Sequence, residues 1–173
     1  MKVAYIVSIG KGLESFIFRE IDELIKRGLE IVLYTTKFKK NDIFSPKSGW
    51  IVEKINLIKV IFGIIYWLVS SPIVFFKQIF LVLNHNTIIE FIIACDYSLR
   101  MKKDKIEQIH CHFGDRKFFI GFFCKKLLNI KLTLTVHAHE LYANPNIKFF
   151  KESLNEADKI VAISKKNKDI LIN

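Results

Sequence analysis

The first 36 residues constrain the fold more than any other part of the chain. KVAYIVSIG is a short, continuous apolar run closed by Gly10 and Gly12. A run of that length without polar alternation is the pattern of a strand buried on both faces. ESFIFREIDELIKRG follows, with Ile17, Ile21, Leu24 and Ile25 at i, i+4, i+7 and i+8, which places them on one face of a helix. Lys26 and Arg27 suit its last turn and Gly28 is a C-terminal stop. EIVLYTT is then a second strand. Strand, helix and strand in this order form a β-α-β unit, which predicts a parallel sheet joined by right-handed crossovers.

The same alternation returns in the second half. IEQIHCHFG reads as a strand, and Asp115 is placed to cap the helix RKFFIGFFCKKLL, whose apolar face includes Phe119, Phe122, Phe123 and Leu127. IKLTLTVH is the next strand. In NPN, Asn144 is expected as an N-cap with Pro145 at the first helical position. That helix would carry Ile147, Phe150, Leu154 and Ala157 on one face. DKIVAIS is a last short strand, and Ser164 can cap a closing helix. A chain of 173 residues with no repeat and no low-complexity linker is expected to be one domain, 1–173.

The middle departs from the pattern. Seventeen uncharged residues, VIFGIIYWLVSSPIVFF, lie between Lys59 and Lys77, and IFLVL and IIEFIIAC follow. The length is at the short end for a membrane span, and Pro72 would break or kink a helix there. Two or three apolar helices packed on the domain and partly facing lipid are expected, with buried core helices and a true span as the alternatives. The formal net charge is +10. A basic chain suits phosphates, nucleic acid or an anionic membrane, or lysine serves to solubilise an isoleucine- and phenylalanine-rich chain. Cys95, Cys111 and Cys124 are odd in number and lack CxxC spacing, which points to a reducing compartment. The N-terminus does not read as a signal peptide, because its apolar stretch ends in a glycine turn.

Polar residues collect where the strands end. Gly10, Lys11 and Gly12 follow the first strand; His112, Phe113, Gly114 and Asp115 follow IEQIHCH; His137, Ala138, His139, Glu140 and Tyr142 follow LTLTV; Ser164 follows the last strand. Open parallel sheets bind ligands beyond these carboxyl ends, so the histidines mark the rim of a cleft. The glycine turn is not a dinucleotide fingerprint, because Ser15 stands at the third glycine position and no acidic residue ends the second strand. There is no Walker A loop and no G-x-S-x-G elbow. His110 and His112 point to one face of their strand, but no acidic or cysteine residue has a recognised metal spacing, so no metal is expected. His110, mid-strand, reads as a core histidine. Cys111 faces away from both neighbouring histidines, which argues against a Cys–His nucleophile.

Four stretches carry a resemblance to a known family. LESFIFREIDELIKRG looks like an S-E-T-F-I…E…L…G opening helix, IHCHFG like a strand ending H-x-H-F, LTLTVHAHELY like T-x-H-A-H-D-I-Y, and SLNEADKIVAIS like an A-D…I-x-x-I-S strand. Together they resemble the N-terminal domain of retaining family-4 glycosyltransferases of the GT-B fold, the bacterial exopolysaccharide and lipopolysaccharide type. Leu13 and Ser15 stand where Ser and Thr are usual, and Glu140 replaces Asp. The resemblance implies an α/β, Rossmann-like parallel sheet flanked by helices, with an apolar helical insertion in the middle. It implies that His137 faces the transferred sugar as the catalytic residue. Gly10, Gly12, Glu14, His112, His139 and Glu140 would serve the acceptor or substrate.

The chain ends where the first domain of such an enzyme finishes, and no two of its glutamates are eight positions apart, as a family pair in the second domain would be. The resemblance therefore implies an acceptor-binding half, inactive alone. It could be a piece of a longer enzyme, a split gene product or a truncated copy. A membrane-associated subunit of a two-chain glycosyltransferase and a non-catalytic Rossmann-like binding module are the alternatives. The expected partners are a glycan or lipid-linked sugar acceptor, a nucleotide-sugar only with a C-terminal domain or partner chain, and an anionic membrane surface. No cofactor and no nucleic acid are expected. The expected location is cytoplasmic, peripheral at the inner face of the plasma membrane.

Overall fold

The computed structural model describes residues 1–39, 43–144 and 146–172, the side chains of 139, 140, 143 and 172 aside. Its elements run β1 Lys2–Ile9, α1 Ser15–Lys26, β2 Glu30–Phe38, β3 Ile51–Lys54, α2 Leu57–Ser70, α3 Pro72–His85, α4 Ile88–Lys103, β4 Gln108–His112, α5 Arg116–Leu128, β5 Lys131–Val136, α6 Ala138–Ala143, α7 Ile147–Leu154, β6 Lys159–Ala162 and α8 Lys165–Ile172. The six strands form one sheet in the order β3-β2-β1-β4-β5-β6. Every neighbouring pair is parallel. The order reverses direction between β1 and β4, the switch point at which open α/β sheets leave a crevice. The expected α/β sheet flanked by helices is therefore what the chain forms.

The pleat divides the interior in two. Ala4 and Ile6, with Ile109, Cys111, Leu132, Leu134 and Val136, face the larger core beneath α2–α5 and α7. Val3, Tyr5, Val7 and Ile9 face the smaller core beneath α1, with Ile17 and Ile21. On β4 and β5 that second face is polar: His110, His112 and Thr133 are buried there and Thr135 is half-buried.

Several local readings need correction. The sequence pattern assigns no residues to a strand between β2 and α2, yet the tetrapeptide IVEK pairs with β2 as an edge strand, β3. Arg100 of α4 ties it down, donating to Asp96 at 2.8 Å and to the Glu53 carboxylate of β3. Helix α5 has no single apolar face: Phe118, Ile120, Gly121 and Cys124 are buried together with Phe119, Phe122, Phe123 and Leu127, because α3, α4 and α7 close over it. The N-cap of α7 is Asn146, not Asn144; Pro145 lies outside the described residues. Asn146 Oδ1 accepts from the Phe149 N–H at 3.3 Å, while Asn144 holds the Asn146 N–H and donates to the Gly114 carbonyl. That shift turns Phe149, Phe150 and Ser153 inward and leaves Ile147 exposed, and Ala157 falls beyond the helix. Asp115 and Ser164 cap their helices as read, through the Lys117 N–H at 2.9 Å and the Asn167 N–H at 3.1 Å.

The apolar middle is a pair of helices bent by 120° at Ser71, with Pro72 opening the second. No single described helix is long and apolar enough to cross a membrane, although the bent pair passes by length and composition. Val60, Gly63 and Trp67 bury one side of α2. Leu57, Ile58, Ile61, Phe62, Ile65 and Val69 on its other side remain exposed, as do Ile73, Phe76, Phe80 and Leu83 on α3. An ordinary surface helix would carry polar residues there.

Candidate functional site

A cleft of about 570 Å³ opens beyond the carboxyl ends of β1 and β4, lined among others by Gly10, Gly12, Glu14, His112, Phe113 and Lys117. The loop after β1 turns back on itself through Gly12, whose φ is +91°. A Cβ at Gly12 would sit 2.1 Å from the Ile43 carbonyl oxygen, so only glycine fits there. Gly10 carries no such constraint: a Cβ there would meet nothing within 4 Å. Glu14 occupies the N-cap of α1 without a side-chain capping bond, so the first-turn N–H groups of α1 are left for the cleft.

His112 closes the inner end of the cleft and is 1% exposed. Its Nδ1 lies 3.5 Å from His137 Nε2, and its Nε2 lies 3.3 Å from Glu20 Oε1. Glu20 reaches in from α1 and also accepts a hydrogen bond from the Tyr5 hydroxyl at 2.7 Å. His137 is half-buried between the rings of Phe16 and Phe113, at centroid distances of 4.9 and 4.4 Å. Phe113 holds its place in a left-handed conformation, φ +69°, and its N–H donates to the Thr135 carbonyl at 3.0 Å. A bulky residue in that region is uncommon and marks a constrained corner.

Burial by itself would raise the Glu20 carboxyl. The hydrogen bond and charge of His112, with the Tyr5 hydroxyl and His110, outweigh it and bring the carboxyl down to about 2. Burial, aided by Glu20, pushes the Tyr5 hydroxyl well above its usual range. His110 is pulled down to about 4, chiefly by burial and then by His112, against the opposing charge of Glu20. Its Nδ1 pairs with Thr133 Oγ1 at 2.8 Å, the satisfied core histidine expected of it. Cys111 lies on the opposite face, buried in the larger core with its thiol pushed up by burial, so it offers no nucleophile.

The structure thus brings Gly10, Gly12, Glu14 and His112 to one cleft and joins His137 to it through His112. The side chains of His139 and Glu140 lie outside the described residues. Sequence reading missed Tyr5, Phe16, Glu20 and Lys117. Glu20 could have been found: it sits three residues after Ile17 and one before Ile21, at the edge of the buried face of α1. Glu20, His110 and His112 also place ligand atoms within 4.8 Å of one another, a grouping that could hold a metal ion and that the sequence spacing did not suggest.

The profile of Glycosyltransferase Family 4 matches residues 10–173. No curated protein matches in sequence. The fold is similar to that of a lipopolysaccharide outer core galactosyltransferase, WaaB, with a TM-score of 0.62 at 13% identity over 99% of this chain and 42% of that one. The UDP-GlcNAc 2-epimerase of Methanocaldococcus jannaschii gives 0.55 at 12% identity, again over 99% of this chain and 42% of that one. The sucrose-phosphate synthase of Thermosynechococcus elongatus gives 0.52 at 15% identity, over 99% of this chain and 81% of that one. The chain spans less than half the length of the first two.

Proposed function

The chain belongs to Glycosyltransferase Family 4, and from that premise we propose that it is the acceptor-binding half of a glycosyltransferase. The enzyme would move a sugar from a nucleotide-sugar to a cell-surface polysaccharide or a lipid-linked acceptor. The observation that carries this is the cleft at the β1/β4 switch point, where a glycine loop, the open N-terminus of α1 and two linked histidines converge. Backbone N–H groups and lysines at such a rim suit the charge that develops on a departing nucleoside diphosphate. Lys11 and Lys117 line it. His137 faces the transferred sugar, and Glu14 and His112 serve the acceptor side. The nucleotide-sugar is held by a second domain, joined to this one or supplied by another chain. That division accounts for the lack of two glutamates eight positions apart.

The enzyme works at the cytoplasmic face of a membrane. The exposed apolar sides of α2 and α3 and the charge of +10 support this, since apolar insertion and attraction to anionic lipid reinforce one another.

Transfer of labelled sugar from a panel of nucleotide-sugars to a lipid extract tests the proposal. The purified 173 residues alone should transfer none. Adding a family donor-binding domain, fused or separate, should restore transfer. Transfer by the 173 residues alone would refute the division of labour, and acceptor binding without transfer in every combination would favour a non-catalytic module.

A further inference from the structure

β4 sends two imidazoles, His110 and His112, to the same side of the sheet, and α1 lays Glu20 across them. Glu20 Oε1 is 3.3 Å from His112 Nε2 and 3.8 Å from His110 Nε2, and the three ligand atoms lie within 4.8 Å of one another. We propose that these three side chains form a zinc site that clasps α1 to β4, on the α1 side of His112 and apart from any part the cleft plays in sugar transfer.

The spacing suits the ion. Zn²⁺ takes imidazole nitrogen at about 2.0–2.1 Å and carboxylate oxygen at about 2.0–2.2 Å in a tetrahedral array, so neighbouring ligand atoms stand ~3.4 Å apart. The His112–Glu20 pair already has that separation, and the His110–Glu20 pair closes to it by a few tenths of an ångström. His110 Nε2 and His112 Nε2 draw in together from within 4.8 Å. Two imidazoles and one carboxylate leave a fourth position for water. Mg²⁺ and Ca²⁺ want oxygen from every ligand, whereas two ring nitrogens and one oxygen are a zinc donor set.

The surrounding side chains hold the ligands in place, as the outer shell of a metal site does. Thr133 Oγ1 donates its one hydrogen to the Ile109 carbonyl at 3.2 Å, so it accepts from Gln108 Nε2 at 3.2 Å and from His110 Nδ1 at 2.8 Å. With its hydrogen on Nδ1, the neutral His110 ring turns the Nε2 lone pair towards Glu20. That nitrogen also has the Thr135 hydroxyl at 3.4 Å, a longer contact that an ion would replace. The Tyr5 hydroxyl donates to Glu20 Oε1 at 2.7 Å and fixes the carboxylate. Both histidines are buried, and the partly exposed carboxylate gives an ion its way in. Without the ion the same side chains keep the hydrogen bonds given above.

Zinc titrated into the chelator-treated 173-residue chain tests the site. Calorimetry should show one saturable Zn²⁺ per chain, with a rise in melting temperature that EDTA reverses. Co²⁺ in its place should give the intense visible absorption of a four-coordinate ion. In nitrogen-15 NMR of the histidine-labelled chain, the Nε2 signals of His110 and His112 should move together with the ion, while that of His85, which pairs with Glu152 at 2.8 Å on another face, stays in place. Glu20→Gln and His110→Gln should each weaken the affinity by more than ~100-fold, and Thr133→Val, which releases the His110 ring, by ~10–100-fold. His85→Gln should leave it unchanged. The site is overturned by any of three results: no saturable binding at millimolar Zn²⁺, binding that leaves both Nε2 signals where they were, or undiminished affinity in a folded Glu20→Gln or His110→Gln chain. The first two are read on the unsubstituted chain and hold even where a variant fails to fold. The pale spectrum of six-coordinate Co²⁺ would likewise overturn it, as the mark of an ion on surface carboxylates. No sugar and no second domain enter these measurements, so the zinc site and the transferase reading stand or fall separately.

Discussion

Replacing Ile58, Phe62 and Ile65 of α2 together by serine should abolish membrane attachment and spare the fold. These side chains form a stripe at i, i+4 and i+7 and are 66%, 64% and 52% exposed. Full burial of a large apolar side chain is worth about 1.5–3 kcal/mol relative to exposure. With roughly half to two thirds of each still exposed, lipid can gain about 1–2 kcal/mol per residue. The triple variant should then lose about 3–6 kcal/mol, a factor of roughly 10² to 10⁴ in the partition coefficient. Serine has a helix propensity close to those of isoleucine and phenylalanine, so α2 itself should persist. Stability should move little, because the contacts that hold α2 come from Val60, Gly63 and Trp67 on its other side. Flotation with vesicles containing an anionic lipid measures the partition, and thermal denaturation of the same preparation measures the fold. The unsubstituted chain should float at low salt and less at high salt, because screening removes the electrostatic share. Equal flotation of the triple variant, or an unsubstituted chain that stays in solution beside anionic vesicles at low salt, would rule out attachment through this stripe.

Gly12→Ala should cost roughly 2–4 kcal/mol, combining left-handed strain with a clash against the Ile43 carbonyl, whereas Gly10→Ala should stay within about 0.5 kcal/mol; urea unfolding of the two separates them. Gly63→Ala should lower the melting temperature despite alanine's better helix propensity, because its Cβ would lie 2.5 Å from the Cys95 carbonyl oxygen on α4. Stability should fall as pH drops from about 6.5 towards 4: His110 is held neutral in the fold at about 4 against an ordinary 6.5, so the unfolded chain takes up the extra proton over that window. The loss approaches ~3 kcal/mol, and His110→Gln should remove most of that slope in urea titrations at successive pH values. Glu20 extends the acid loss from its ordinary 4.5 towards 2, by only ~1 kcal/mol because its side chain is 38% exposed.

What could be read from the sequence followed its periodicity. β1 and β2 are nearly continuous apolar runs because both of their faces are covered, while β4 and β5 alternate, with Ile109, Cys111, Leu132 and Leu134 towards the larger core and His110, His112, Thr133 and Thr135 on the other face; both patterns are visible without tertiary knowledge. β3 was not visible: IVEK has only four residues at the sheet edge, and Ile51 is exposed. The burial of α5 on nearly all sides was equally hidden, since it depends on α3, α4 and α7 arriving from distant parts of the chain. At the site, His112 and His137 stood out as polar residues ending apolar strands. Glu20 did not, because it is 92 positions from His112 and reads as one of several charges on an amphipathic helix. Only the packing of α1 on the sheet brings it to His112.

Whether the β1/β4 cleft binds the acceptor on its own, while a nucleotide-sugar is held there only once a second domain is present, is decided by mapping amide shifts of the 173 residues during two titrations. A soluble lipid-linked or oligosaccharide acceptor should move the signals of Gly10, Gly12, Glu14, His112 and Lys117, while UDP- and GDP-sugars should leave them in place. Saturable movement of those signals by a nucleotide-sugar, with none by any acceptor glycan, would make this cleft a donor site instead.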